Sequence, residues 1–113
     1  MPVKSPNSNI LIKDVLIDND VDWKTHHQKS FLKSYGKQYE EIKFLQEIYE
    51  QNWEKLADFN IEFISKCCKF LEINTKLVKS SDINCKGKKG DLILDICKEF
   101  KTTEYLSAVA SGD

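Results

Sequence analysis

Two short β-favouring runs flank one helical stretch in residues 75–107, and that order leaves few ways to fold. Thr75, Lys76, Leu77 and Val78 form the first run, and Tyr105, Leu106 and Ser107 close the second. Strands joined through a helix, if they are sheet neighbours, pair in parallel by a right-handed crossover. Their carboxyl ends then share one edge, which sets Ser80, Ser81 and Asp82 beside Ser107. Parallel α/β sheets bind ligands at that edge. The loop that follows adds Cys85, Lys86, Gly87, Lys88 and Lys89, so a substrate or phosphate subsite is expected there. The amino end of the next helix favours an anion through its backbone amides and dipole. The spacing is not that of a P-loop, so ATP is not implied, and no motif names a cofactor.

The remainder reads as mostly helical. Residues 10–17 form a β-branched run, read as a strand with a turn near Lys13 and Asp14. Asp22 is placed to cap a helix in which Trp23, His27, Phe31 and Tyr35 recur at about four-residue spacing until Gly36 ends it. A second helix is predicted through Tyr39, Ile42, Leu45, Ile48 and Tyr49, with Glu40, Glu41, Lys43, Glu47 and Glu50 on its solvated side. From Trp53 to Leu71 the apolar residues spread over more than one face, which predicts a central helix buried on two sides. A last helix runs from Gly87 or Lys88 to Phe100 on a stripe of Leu92, Ile93, Ile96, Cys97 and Phe100. The expected fold is therefore α/β and helix-rich, with about four helices and a small parallel sheet of short strands in one domain.

Charge narrows the partners. All 17 basic residues are lysine and 18 residues are acidic, so the net charge of −1 gives no electrostatic basis for binding nucleic acid. Without arginine there is no bidentate fork for phosphate, though lysine serves as a point charge. No apolar run approaches the roughly 18 to 20 residues that span a bilayer, and the first residues show no signal-peptide core, so a cytoplasmic location is expected. Cys67, Cys68, Cys85 and Cys97 lack the spacing of a disulfide framework or a zinc site, and reduced thiols with no metal centre are expected.

His27 shares its predicted face with Trp23, Phe31 and Tyr35, which favours a partly buried imidazole hydrogen-bonded to a neighbour; its other role is general base. Ser80, Ser81, Asp82, Lys88 and Ser107 are the candidate substrate-binding residues. The bland alternative is a capped turn with solvated lysines. Trp23 and Trp53 suit either a core or a sugar platform. Cys85, beside Lys86 and Lys88, would have a lowered pKa if exposed.

These stretches resemble the WbqC-like proteins of bacterial polysaccharide and O-antigen gene clusters. Asp22-Trp23, His27, Lys29-Ser30 and Tyr35-Gly36-Lys37 are similar to the family's Trp-Arg/Lys-x-x-His-x-Lys segment and its tyrosine. Leu56-Ala57-Asp58 and Asn60 resemble its long helix, and Ser80-Ser81-Asp82-Ile83, Gly87-Lys88 with Leu92, and Tyr105-Leu106-Ser107 resemble its last motifs. The resemblance implies a transferase of acyl, aminoacyl or sugar groups in surface-glycan assembly, acting on a sugar or phosphorylated small molecule; a non-catalytic binding or assembly module is the alternative. Family proteins are roughly twice as long, so the resemblance implies the carboxyl-terminal part of such a protein, without its Gln-Pro-x-Tyr segment. A homodimer covering the exposed sheet surface is expected to follow. Residues 107–113 replace a glycine-rich turn, where an alanine methyl bars close backbone approach.

Overall fold

A computed structural model describes residues 1–4 and 9–107; the turn-rich residues 5–8 and the replaced glycine turn beyond Ser107 lie outside them. The chain divides into two compact units, Met1–Thr75 and Lys76–Asp113.

The first unit is built on three helices: α1 (Trp23–Tyr35), α2 (Gln46–Glu50) and α3 (Leu56–Phe70). Helix α1 starts and stops where the local chemistry dictates. The Asp22 carboxylate accepts a hydrogen bond from the Thr25 amide at 3.3 Å, and Gly36 leaves the helix at φ +50°, which an L side chain resists. Its four-residue aromatic spacing advances about 40° per step around a helix of 3.6 residues per turn. Trp23 is accordingly buried, His27 and Phe31 are half-buried, and Tyr35 is exposed.

The predicted second helix is for the most part a 3₁₀-helix, Gly36–Leu45, that passes into the short α2. Tyr39, Ile42, Leu45 and Ile48 recur every third residue, and a 3₁₀-helix eclipses residues three apart. Leu45 and Ile48 are buried while Tyr39 and Ile42 are half-buried, so the period-three stripe faces the core. Glu40, Glu41, Glu47 and Glu50 are solvent-exposed.

Ile17, Trp23, Leu45, Ile48, Tyr49 and Phe59 form the core. Phe59 of α3 is its hub, with ring centroids 5.1 Å from Trp23, 5.7 Å from Tyr49 and 5.8 Å from Trp53. Nearly all these pairs are edge-on or tilted, as the ring quadrupole favours. One face of α3, through Leu56, Phe59, Phe63 and Cys67, meets this cluster. Ile61 and Ile64 are exposed, so the expected burial on two sides does not occur.

No strand or sheet exists among the described residues, which corrects the expected α/β class. Residues 10–17 contain a 3₁₀ turn at Ile12–Asp14, where a turn is expected, and then two isolated antiparallel bridges, Val3 to Ile17 and Leu16 to Lys55. The Ile17 amide donates to the Glu54 carbonyl at 2.7 Å and the Leu56 amide to Val15 at 3.1 Å, so this run ties the entry of α3 to the core.

The second unit contains a 3₁₀ turn, Ser80–Asp82, and helix α4 (Gly90–Glu99). Runs 75–79 and 103–107 are not paired into the parallel sheet expected of them. Leu77 and Val78 stand in solvent and Leu106 is 96% exposed. Parallel strands persist where both faces are covered, and one ten-residue helix does not cover two faces. The sheet surface on which the expected homodimer depended is therefore absent among the described residues.

Helices α3 and α4 end alike. Ile73 donates to the Cys68 carbonyl at 2.8 Å and Thr102 to the Cys97 carbonyl at 2.9 Å, each around a residue in the left-handed region, Glu72 at φ 58° and Lys101 at φ 53°. These are Schellman caps made without glycine.

Candidate functional site

His27 sits one turn after Trp23 on α1. Its Nδ1 lies 3.1 Å from the Tyr49 hydroxyl of α2, and the Trp23 ring meets it edge-on at 5.4 Å. Burial pushes the Tyr49 phenol up to about 12, with the Cys67 thiol nearby adding to the effect, so the hydroxyl keeps its proton. No buried side-chain nitrogen or oxygen among the described residues lacks a partner. A buried hydroxyl satisfies its proton by donating it, and His27 is the partner present. With the Tyr49 hydroxyl as donor, Nδ1 accepts and the ring proton stands on Nε2; with Nδ1 protonated the same 3.1 Å contact runs the other way. Burial, assisted by the positive amino terminus and His26, holds the His27 pKa below its ordinary value. The imidazole is thus biased toward its uncharged form, and in the tautomer that accepts from Tyr49 it offers an N–H at Nε2.

The remaining sequence-predicted residues belong to the second unit. Ser80, Ser81 and Asp82 form the exposed 3₁₀ turn, held by Asp82 N–H to the Lys79 carbonyl at 3.0 Å. Lys88 is exposed just before α4, and Ser107 is exposed and lies on no strand. His27 belongs to the first unit.

Gly87 shapes this loop. Its amide donates to the Asp95 carboxylate at 3.1 Å, and a Cβ there would stand 2.7 Å from backbone atoms of Asp91 and Leu92. Only glycine lets the loop lie this close to the first turn of α4. The consequence alters the expected anion cradle. The Asp91 amide already donates to the Lys88 carbonyl, and the Leu92 amide to Lys89, both at 3.1 Å. With the Gly87 amide also engaged, an anion here would rely on the lysine side chains.

Cys85 is half-buried, so the condition for a lowered pKa is not met. Its partial burial and the carboxylates of Glu99 and Asp95 push its thiol pKa up. All four cysteines are free thiols.

Sequence reasoning missed three residues. Tyr49 was legible as a helix-face aromatic, but its pairing with His27 crosses 22 positions. Asn19 accepts from Trp23 Nε1 at 3.0 Å and donates to the Trp53 carbonyl at 2.7 Å, joining the start of α1 to the segment before α3. Its local signal was only that of a turn residue. Gly87 was visible as a glycine, without its contact.

Residues 1–113 match the family described as the WbqC-like protein family. The chain is 30% identical over 100 residues to an uncharacterized protein of Mycobacterium tuberculosis, Rv1507c, an alignment covering 85% of this chain and 43% of that one. The chain therefore spans less than half the length of that relative. No solved structure matches it. No helix among the described residues is long and apolar enough to cross a membrane.

Proposed function

The chain belongs to the WbqC-like protein family, and from that premise we propose that it contributes to an acyl, aminoacyl or sugar transfer in surface-polysaccharide (O-antigen) assembly. The observation that carries this reading is the family match along residues 1–113. The substrate is a sugar or phosphorylated small molecule. Ser80, Ser81, Asp82 and Ser107 serve as hydrogen-bonding groups for it, and Lys88 supplies a positive charge for a phosphate. In acyl transfer, a sugar amine or hydroxyl attacks the carbonyl of an acyl thioester. A C–N or C–O bond forms, the C–S bond breaks, and the attacking group's proton leaves with the thiol. The catalytic role proposed for His27 is donation from Nε2–H to the oxygen that becomes negative, a contribution that preorganised donors make most effectively.

The test is mass spectrometry of the folded chain incubated with nucleotide-linked amino sugars and acyl or aminoacyl thioesters. An acylated sugar is expected, with His27→Gln lowering kcat by about 10²-fold and Lys88→Ala acting mainly on KM. Absence of product from every donor and acceptor pair would overturn transfer. It would favour the second reading, a non-catalytic binding or assembly module, which the exposure of Ile93, Leu94 and Phe100 in the second unit supports. A homodimer that covers those side chains is part of that reading, and a strict monomer by light scattering would remove it.

A further inference from the structure

An open cleft of about 550 Å³ lies in the first unit between the residues entering α1 and the link from α2 to α3. That volume suits a small ligand. Trp53, half-buried, and Trp23, buried at 3% exposure, both line it. Both indole N–H groups are already engaged, Trp23 with the Asn19 side chain and Trp53 with the Ile48 carbonyl at 2.7 Å. The Trp53 ring thus offers the cleft apolar surface, and neither indole offers a donor.

The rim is different in character. Asp20, Asp22, Asn52 and Glu54 are exposed around it. Asp22 is partly occupied in capping Thr25, and Lys24 donates to the Gln51 carbonyl with its ammonium 5.7 Å from the Trp23 ring centroid. Three carboxylates against one lysine give the cleft a net charge of −2. Such a rim repels phosphate and accepts hydroxyl or ammonium protons. Aromatic surface set beside carboxylate and amide acceptors suits a sugar ring, which has an apolar C–H face and a girdle of O–H donors.

We propose that this cleft binds a hexopyranose ring, neutral or amino-substituted, packed on Trp53 with its hydroxyl or ammonium groups on Asp20, Asn52 and Glu54. Its lining residues belong to the first unit, whereas the turn 80–82 and Lys88 belong to the second. It rests on the polysaccharide reading for its setting, but its test measures binding and not transfer.

The chain has two tryptophans, so the ¹⁵N-labelled protein gives two indole N–H signals. Titration with glucose, glucosamine and glucose 1-phosphate is followed on them. Both unphosphorylated sugars are expected to shift the Trp53 signal saturably, glucosamine at lower concentration, and glucose 1-phosphate to bind more weakly than glucose. The double variant Asn52→Ala, Glu54→Gln changes exposed side chains and is expected to weaken glucosamine about tenfold with the rest of the spectrum unaltered. No saturable shift with either sugar, glucose 1-phosphate binding as tightly as glucosamine, or undiminished binding by the double variant would each overturn the site. Binding without transfer would leave it standing while removing the enzymatic reading, and transfer without these shifts would do the reverse.

Discussion

The two units of this chain use the same helical material with opposite results. In Met1–Thr75 six side chains, Phe59 at their centre, are withdrawn from water, and the polar ends of Trp23 and Tyr49 among them are matched by Asn19 and His27. In Lys76–Asp113 no described residue is fully buried, although α4 carries as clear an apolar stripe as α3. An amphipathic helix is stabilised mainly by what covers its stripe, not by its own propensity. The candidate residues divide along the same line. His27 is held by a packed aromatic neighbour, whereas Ser80, Ser81, Asp82 and Lys88 sit on an exposed loop shaped chiefly by Gly87.

Truncating matched apolar residues gives the largest test of this contrast. Phe59→Ala is expected to cost about 3–5 kcal/mol in denaturant unfolding, because it removes the hub of the ring cluster, while Ile93→Ala on half-open α4 costs about 1 kcal/mol or less. Equal losses would show that α4 is covered as well as α3. Asn19→Ala is next, at about 1–3 kcal/mol, since it strands the Trp23 indole N–H in a buried place. A loss under a few tenths would mean the two tryptophans need no clamp.

Gly87→Ala sharpens the second half of the contrast. The added methyl meets backbone and not a yielding side chain, so the loop must lift and the Gly87–Asp95 bond is lost. Amide shifts confined to residues 80–95, with the first unit's spectrum unchanged, are expected; unchanged shifts near Asp91 would contradict the close approach. At the helix ends, Glu72→Gly relieves a left-handed backbone residue and is expected to raise stability by about 0.5–1 kcal/mol. Lys101→Gly has the same local geometry but is expected to leave global unfolding of the first unit unchanged.

The smallest effect is in pH. His27 has a folded pKa below its ordinary 6.5, so the unfolded chain takes up the proton first. Stability is expected to be constant above that value and to fall as pH drops through 6.5 toward the lower folded pKa. His27→Gln should flatten that slope in thermal unfolding between neutral pH and pH about 5. A wild-type slope retained in the variant would assign it elsewhere.

How much of this was legible in the sequence varies with the distance over which each feature is decided. Helix α1 was readable at both ends because Asp22 and Gly36 act within one turn. The stripe Tyr39, Ile42, Leu45, Ile48 was also visible, yet its period of three was read as 3.6 and the 3₁₀ stretch was missed. The sheet failed for a deeper reason. Runs 75–79 and 103–107 have strand-like composition, but a strand exists only by pairing, and nothing in either run says whether a partner and a cover are present. The same holds for the close approach of Gly87 to the first turn of α4, which a glycine in the sequence permits and does not announce.

The amino-acid order by itself determined where α1 begins and ends, which faces are apolar, the absence of arginine and the family to which the chain belongs. Only the tertiary structure decided that the strand-like runs stay single, that Asn19 joins two tryptophans, and that His27 pairs with Tyr49. Capping and periodicity act between neighbours along the chain. Pairing and burial depend on groups brought together across tens of residues, where local preference has no reach.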